Sequence, residues 1–304
     1  MTVKKITIFM FLVFFGLVGL VSAAVEKVTL RVDGLACPFC AYGLEKKIKE
    51  LEGYKSFEVF LNEGRVIVGW RQDKLLDLES INEAVDKAGF TLRGVKGSFL
   101  GNLVKEDEKI FLLLDGRVKQ RFYVYEPSKV KQKAEHARKV EGSLQAFSKT
   151  TRKRLEKLVA GRRTVRIVGP VHSYRDPNRP MALGIEKLTI RESFVGVLTK
   201  EKGRFFLVVS EPTSRRFSLY ESRKLKLISK KAHKLEGTDS AFSKAMWERL
   251  EEILTKKKTV KVVGEVHAHR EKELGAAIGI EQLEVVLPSE AAKSKKVRNE
   301  NEEK

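Results

Sequence analysis

Two stretches of this 304-residue chain repeat one another at an offset of 95 residues, so the chain must fold at least twice on one plan. Ser98-Phe99 recurs as Ser193-Phe194, Glu141-Gly142 as Glu236-Gly237, and Ala146-Phe147-Ser148-Lys149 as Ala241-Phe242-Ser243-Lys244. Thr164-Val165, Val171-His172 and Gly184-Ile185-Glu186 return in the same register as Thr259-Val260, Val266-His267 and Gly279-Ile280-Glu281. So many identities without a gap mark residues 98–192 and 193–287 as two copies of one domain.

Each copy alternates elements in the same order. In the first, residues 98–104, 109–114 and 121–125 pattern as strands, 143–159 as a helix, and 164–172 and 182–190 as two further strands. Three strands, a helix and two strands is the layout of an OB-like β-barrel, the expectation for both copies, and small Greek-key barrels of other kinds pattern in a similar way. Phe122, Tyr123, Tyr125, Phe205 and Phe206 fall on these strands and are expected to fill the barrel interiors. Residues 288–304 lose apolar periodicity and read as a disordered tail.

At the other end, Lys4 and Lys5 precede an apolar run over residues 6–21 and then Ser22-Ala23-Ala24. A positive start, an apolar core and small residues make residues 1–24 a signal peptide, with cleavage after Ala23 or Ala24. An uncleaved segment of this length would instead anchor the chain in a membrane. Either way the remainder is expected outside the cytoplasm, in the periplasm or otherwise exported.

Residues 25–97 form a third domain. Val28, Leu30 and Val32 alternate as a strand, residues 42–51 carry apolar side chains at helical spacing, and Asn62-Glu63-Gly64 turns a hairpin between residues 57–61 and 66–70. Residues 78–88 read as a second helix ended by Gly89, and 91–95 as a last strand, giving βαββαβ, the ferredoxin-like split pattern. The whole chain is thus of the α+β class. Between the first strand and first helix lies Gly34-Leu35-Ala36-Cys37-Pro38-Phe39-Cys40, with the second cysteine expected at the helix start, where free backbone N–H groups favour a thiolate. Two thiolates so spaced can clamp a soft d10 ion, and sulfur donors select Cu(I), Hg(II), Cd(II) or Zn(II) over Mg or Ca.

The Gly-x-x-Cys-x-x-Cys loop, Leu44 and Ile48 in the helix after it, and Lys87-Ala88-Gly89-Phe90 together resemble the heavy-metal-associated domain. That family includes copper chaperones, metal-transporting P-type ATPases and the periplasmic mercury-binding protein. The resemblance implies that Cys37 and Cys40 are the metal ligands, with Cu(I) or Hg(II) favoured, and that a metal transporter or acceptor protein is the partner. Leu35 stands where the family commonly has Met, keeping an apolar anchor without the thioether. Phe90 is the candidate aromatic beside the loop, shielding the ion without adding charge. Cys-Pro-Phe-Cys also looks like the active site of a thiol-disulfide oxidoreductase, though the cis-proline loop of such enzymes is missing, since no proline falls between Pro38 and Pro127. An inert disulfide is the third reading, and one closing so small a loop would stabilise little.

Charge is concentrated in the repeats. Lys and Arg number 12 against 12 acids in residues 26–97, but 22 against 11 and 19 against 13 in the two copies. The excess of +17 implies an acidic partner. Export disfavours nucleic acid and points to an anionic envelope surface, the repeats then serving as an adaptor; solvated basic faces are the bland alternative. His267 and His269 face the same way along an extended segment and are candidates for an auxiliary metal site, although two imidazoles leave zinc under-coordinated. No nucleophile elbow, phosphate loop or zinc-protease motif occurs, so catalysis is not indicated.

Overall fold

The computed structural model describes residues 25–114, 119–130, 141–174, 176, 178–210, 214–225, 235–268 and 276–286. Residues 1–24, expected as a signal peptide, and 288–304, expected as a disordered tail, lie outside the described residues. Two compact units divide the chain: one takes residues up to Arg162 together with Ile167–Lys187, the other Arg163–Arg166 and everything from Leu188 onward.

The first unit opens with a ferredoxin-like fold. Strand β1 (Val25–Asp33) lies between β3 (Arg65–Trp70) and β4 (Thr91–Glu106), antiparallel to both, and β2 (Tyr54–Phe60) pairs on the far side of β3. Helix α1 (Pro38–Lys49) buries Ala41, Leu44 and Ile48; helix α2 (Leu78–Lys87) buries Leu78, Ile81, Ala84 and Val85. The sheet's inward row answers with Val28, Leu30, Val32, Val66 and Val68, all 2% exposed or less. Burying each such side chain contributes about 1.5–3 kcal/mol. Asp77 caps α2, its carboxylate accepting the N–H groups of Glu79 and Ser80 at 2.9 and 3.2 Å.

The last strand of this fold does not stop at residue 95. β4 continues through Gly97 to Glu106 and becomes the first strand of the barrel that follows, so the two expected strands are one. No turn residue in this stretch forces a break, and Gly97 leaves the space that the Phe99 ring fills: a Cβ there would stand 2.1 Å from it. Along the barrel, β4 pairs with β5 (Lys109–Leu114), β5 with β6 (Arg121–Tyr125), and β6 in parallel with β8 (Met181–Gly184). β7 (Thr164–His172) lies antiparallel to β8 and pairs with β4, closing the ring. The expected helix over 143–159 begins late. Residues Leu144–Ala146 form a 3-10 turn, and α3 (Lys149–Ala160) starts behind the Ser148 cap.

The second unit contains the same ring. β9 (Lys187–Glu201) pairs with β10 (Arg204–Val209) and with β12 (Thr259–Ala268); β11 (Arg215–Glu221) pairs with β10 and, in parallel, with β13 (Ala276–Val285), which completes the circle on β12. α4 (Lys244–Thr255) plugs the barrel with Leu250 and Ile253 against Phe205, Phe217, Leu219, Val260 and Ile278. The strand expected over 182–190 is split between β8 and the start of β9, because the Ile185 and Glu186 N–H groups turn to the carbonyls of Tyr125 and Val168. Glycines repeated 95 residues apart carry the closure: a Cβ on Gly169 would stand 1.7 Å from the Gly184 carbonyl oxygen, and one on Gly264 1.8 Å from that of Gly279.

Candidate metal centre

Pro38 decides where α1 starts. Its fixed φ and missing N–H suit the first helical position, so Cys37 becomes the N-cap and Cys40 falls in the first turn. It is therefore the first cysteine, not the second as its place in the loop suggested, that sits at the helix start. The Cys37 sulfur accepts the Cys40 N–H at 3.1 Å. In the reduced pair, a hydrogen bond of that kind and the helix dipole would both act in favour of a negative charge on the Cys37 sulfur.

The two sulfurs meet. Cys37 and Cys40 stand 5.1 Å apart at Cα and are joined as a disulfide, and both side chains are half-buried at the protein surface. Phe39 between them is 88% exposed and Tyr42, one turn on, 69%. Leu35, in the loop itself, is buried at 4% exposure. Phe90, half-buried, lays its ring edge 3.5 Å from where a Cβ of Gly34 would be, and Gly34 turns the chain into the loop at φ +84°. Phe90 thus packs against the start of the cysteine loop, of which Leu35 is the buried residue. Among the described residues no group of three His, Cys, Asp or Glu side chains is arranged to hold a metal, so the pair offers two sulfur donors and no third ligand of these types.

The histidines occupy a different kind of site. His267 Nε2 lies 2.8 Å from Oε1 of Glu236, which is 2% exposed, and its Nδ1 3.4 Å from the Tyr220 hydroxyl. His269 lies outside the described residues. In the first barrel His172 Nε2 stands 3.0 Å from Oε2 of Glu141, which also accepts a hydrogen bond from Tyr174. Burial, and after it that hydrogen bond, pushes the Tyr174 hydroxyl well above its ordinary range. Residue type alone does not mark Glu141 and Glu236 as partners of these histidines, but Glu-Gly and Val-His recur at the same offset, a signal that the sequence does contain. The strand aromatics Phe122, Tyr123, Tyr125, Phe205 and Phe206 are buried, as expected of barrel cores.

With this geometry in place, the heavy-metal-associated domain model matches residues 29–91. The chain is 32% identical over 65 residues to the copper chaperone CopZ of Bacillus subtilis, spanning 21% of this chain and 93% of that protein. It is 28% identical over 65 residues to CopZ of Staphylococcus saprophyticus, spanning 21% and 94%. Among solved structures, oxidized MerP from Ralstonia metallidurans is 26% identical, with 23% of this chain and 94% of that one covered at a TM-score of 0.21.

Proposed function

Because the chain belongs through residues 29–91 to the heavy-metal-associated domain family, we propose that it is a carrier of a soft metal ion held between the reduced thiolates of Cys37 and Cys40. The observation that carries this reading is the cysteine pair itself, set side by side at the start of α1 on a ferredoxin-like fold, half-buried and beside the exposed ring of Phe39. Two sulfurs with no third His, Cys, Asp or Glu ligand among the described residues suit Cu(I) or Hg(II), which accept near-linear coordination, better than Zn(II), whose structural sites are four-coordinate. Cd(II) and Zn(II) remain comparison ions. The ion is cargo: an acceptor's thiolates form bonds to it as those from Cys37 and Cys40 break, so that delivery goes to a transporter or acceptor protein, a reading supported by the likeness to proteins named copper chaperone.

In this reading the chain acts outside the cytoplasm, exported or tethered by residues 1–24, and divides at residues 25–97, 98–192, 193–287 and 288–304. The strand order of each ring, first-second-third-fifth-fourth and back to the first, with the third and fifth strands parallel, supports an OB-like assignment for both barrels.

The test is anaerobic titration of residues 25–304, reduced, with Cu(I), Hg(II), Cd(II) and Zn(II) in competition with chelators, beside the Cys37→Ser/Cys40→Ser variant. One-to-one binding that the variant loses is the expected result; equal binding by both proteins would sink the proposal. A second reading, a thiol-disulfide oxidoreductase, is favoured by the disulfide that the pair forms here. It requires a potential poised near the oxidising compartment's and cycling against a substrate thiol. A pair that oxidises once and exchanges with no dithiol substrate would rule it out.

A further inference from the structure

The duplication supplies an internal control for surface charge. On α3 of the first barrel, Lys149, Lys153 and Lys157 recur every four residues, so they stack along one side of the helix, and all three are exposed. Their equivalents on α4 are Lys244, Glu248 and Glu252. There the row neutralises itself: Lys244 reaches Glu248 at 4.0 Å, and Glu252 pairs with Lys256 at 2.5 Å. The α3 lysines have no carboxylate within ion-pair distance among the described residues. Like charges four residues apart repel by a few tenths of a kcal/mol per pair, so the row costs the helix stability that, for Lys149 and Lys153, no carboxylate among the described residues offsets. Over residues 149–163 there are seven cations and one carboxylate, against five and three over 244–258.

From this divergence we infer that the α3 face of the first barrel docks on an anionic phospholipid surface. The opposite side of α3 is committed to the barrel core through Leu155 and Leu158, so the helix cannot roll its apolar face into lipid and the contact is electrostatic. Residues 149–163 contain no aromatic side chain, and stacking platforms are what basic grooves use on single-stranded nucleic acid. A membrane is the occupant that the chain itself brings near, because the apolar run over residues 6–21 beside Lys4 and Lys5 leads it to one. The choice of a membrane rests on that reading of the N-terminus, and not on the metal chemistry of Cys37 and Cys40.

The experiment uses residues 25–304, which retain every described element, in co-sedimentation with phosphatidylcholine vesicles with and without phosphatidylglycerol. Binding is expected only with the anionic lipid, reversed fully as salt rises to about 0.5 M. Lys149→Gln/Lys153→Gln/Lys157→Gln lowers partitioning on the order of a hundredfold at low salt, since each basic residue near such a surface contributes about fivefold. The charge-matched control Lys244→Gln/Lys256→Gln/Lys258→Gln, on the second barrel, changes it by only a few-fold. Circular dichroism and metal titration through Cys37 and Cys40 verify that both triples are folded. Equal losses in the two triples would reduce the effect to net charge and overturn the inference, as would no binding to anionic vesicles. Retention of a soluble polyanion such as heparin that depends on the α3 lysines, without vesicle binding, would overturn it in favour of that partner. Fractionation of cells producing the full chain tests the N-terminal reading separately; a chain found free in the cytoplasm removes that premise whatever the vesicles report.

Discussion

The side-chain amide of Gln120 brackets the backbone of Leu76, its Oε1 accepting the Leu76 N–H at 3.0 Å and its Nε2 donating to the Leu76 carbonyl at 2.8 Å. One residue lies in the loop before α2 and the other just ahead of β6, 44 positions apart. The amide copies the donor and acceptor of a strand neighbour, and so ties the metal-domain loop to the first barrel inside one compact unit.

Replacing Gln120 by Ala leaves both backbone groups of Leu76 without this partner in a partly buried setting, and should cost about 1–2 kcal/mol. Urea unfolding measures it. Metal affinity at Cys37 and Cys40 should not change, and an altered affinity would show that the clamp reaches the metal loop.

Gly264→Ala should destabilise the second barrel by about 3 kcal/mol or more, because the new methyl meets the Gly279 carbonyl oxygen of the paired strand rather than a movable side chain. A thermal melt unchanged within error would contradict the close approach of β12 and β13.

The acid limb of stability should contain a contribution from Glu281. Burial alone would raise its carboxyl, but Arg166 and Arg191 outweigh burial and hold it below its ordinary value. A carboxylate depressed in the folded state adds stability that is complete above about pH 4.5 and disappears as pH falls through the folded value. The melting temperature of Glu281→Gln should therefore lie below that of the parent at pH 7 and approach it under pH 4. A gap that is constant with pH would mean that the charge of Glu281 does not matter.

His267→Ala should leave the Glu236 carboxylate buried without its imidazole and cost about 1–3 kcal/mol. Adding Glu236→Gln should return part of that loss. Zn(II) affinity should be the same with and without His267; a drop on substitution would favour an auxiliary metal site over a structural pair.

Much of the architecture was legible in one dimension. The 95-residue register exposed two copies before any strand was placed, and the alternation of Val28, Leu30 and Val32 marked the first strand of the metal domain. Helix starts were less legible. Apolar spacing pointed to residues 42–51, whereas Pro38 at the first helical position opened α1 four residues earlier and moved the capping role to Cys37. Strand ends were hidden too, since β4 serves two folds in succession and nothing in Thr91–Glu106 breaks its extended run.

The sequence alone determined the cysteine pair, the duplication and the placing of the positive charge, because each is a matter of residue type and spacing. Tertiary structure decided the partners: Glu141 for His172 and Glu236 for His267 across 31 residues, Gln120 for Leu76 across 44, and Glu281 for Arg166 across 115. The two histidine–glutamate pairings sit within rings closed by the parallel approach of β6 to β8 and β11 to β13. Polar groups buried by that closure must find hydrogen-bond partners in three dimensions, and sequence distance carries no record of which they find.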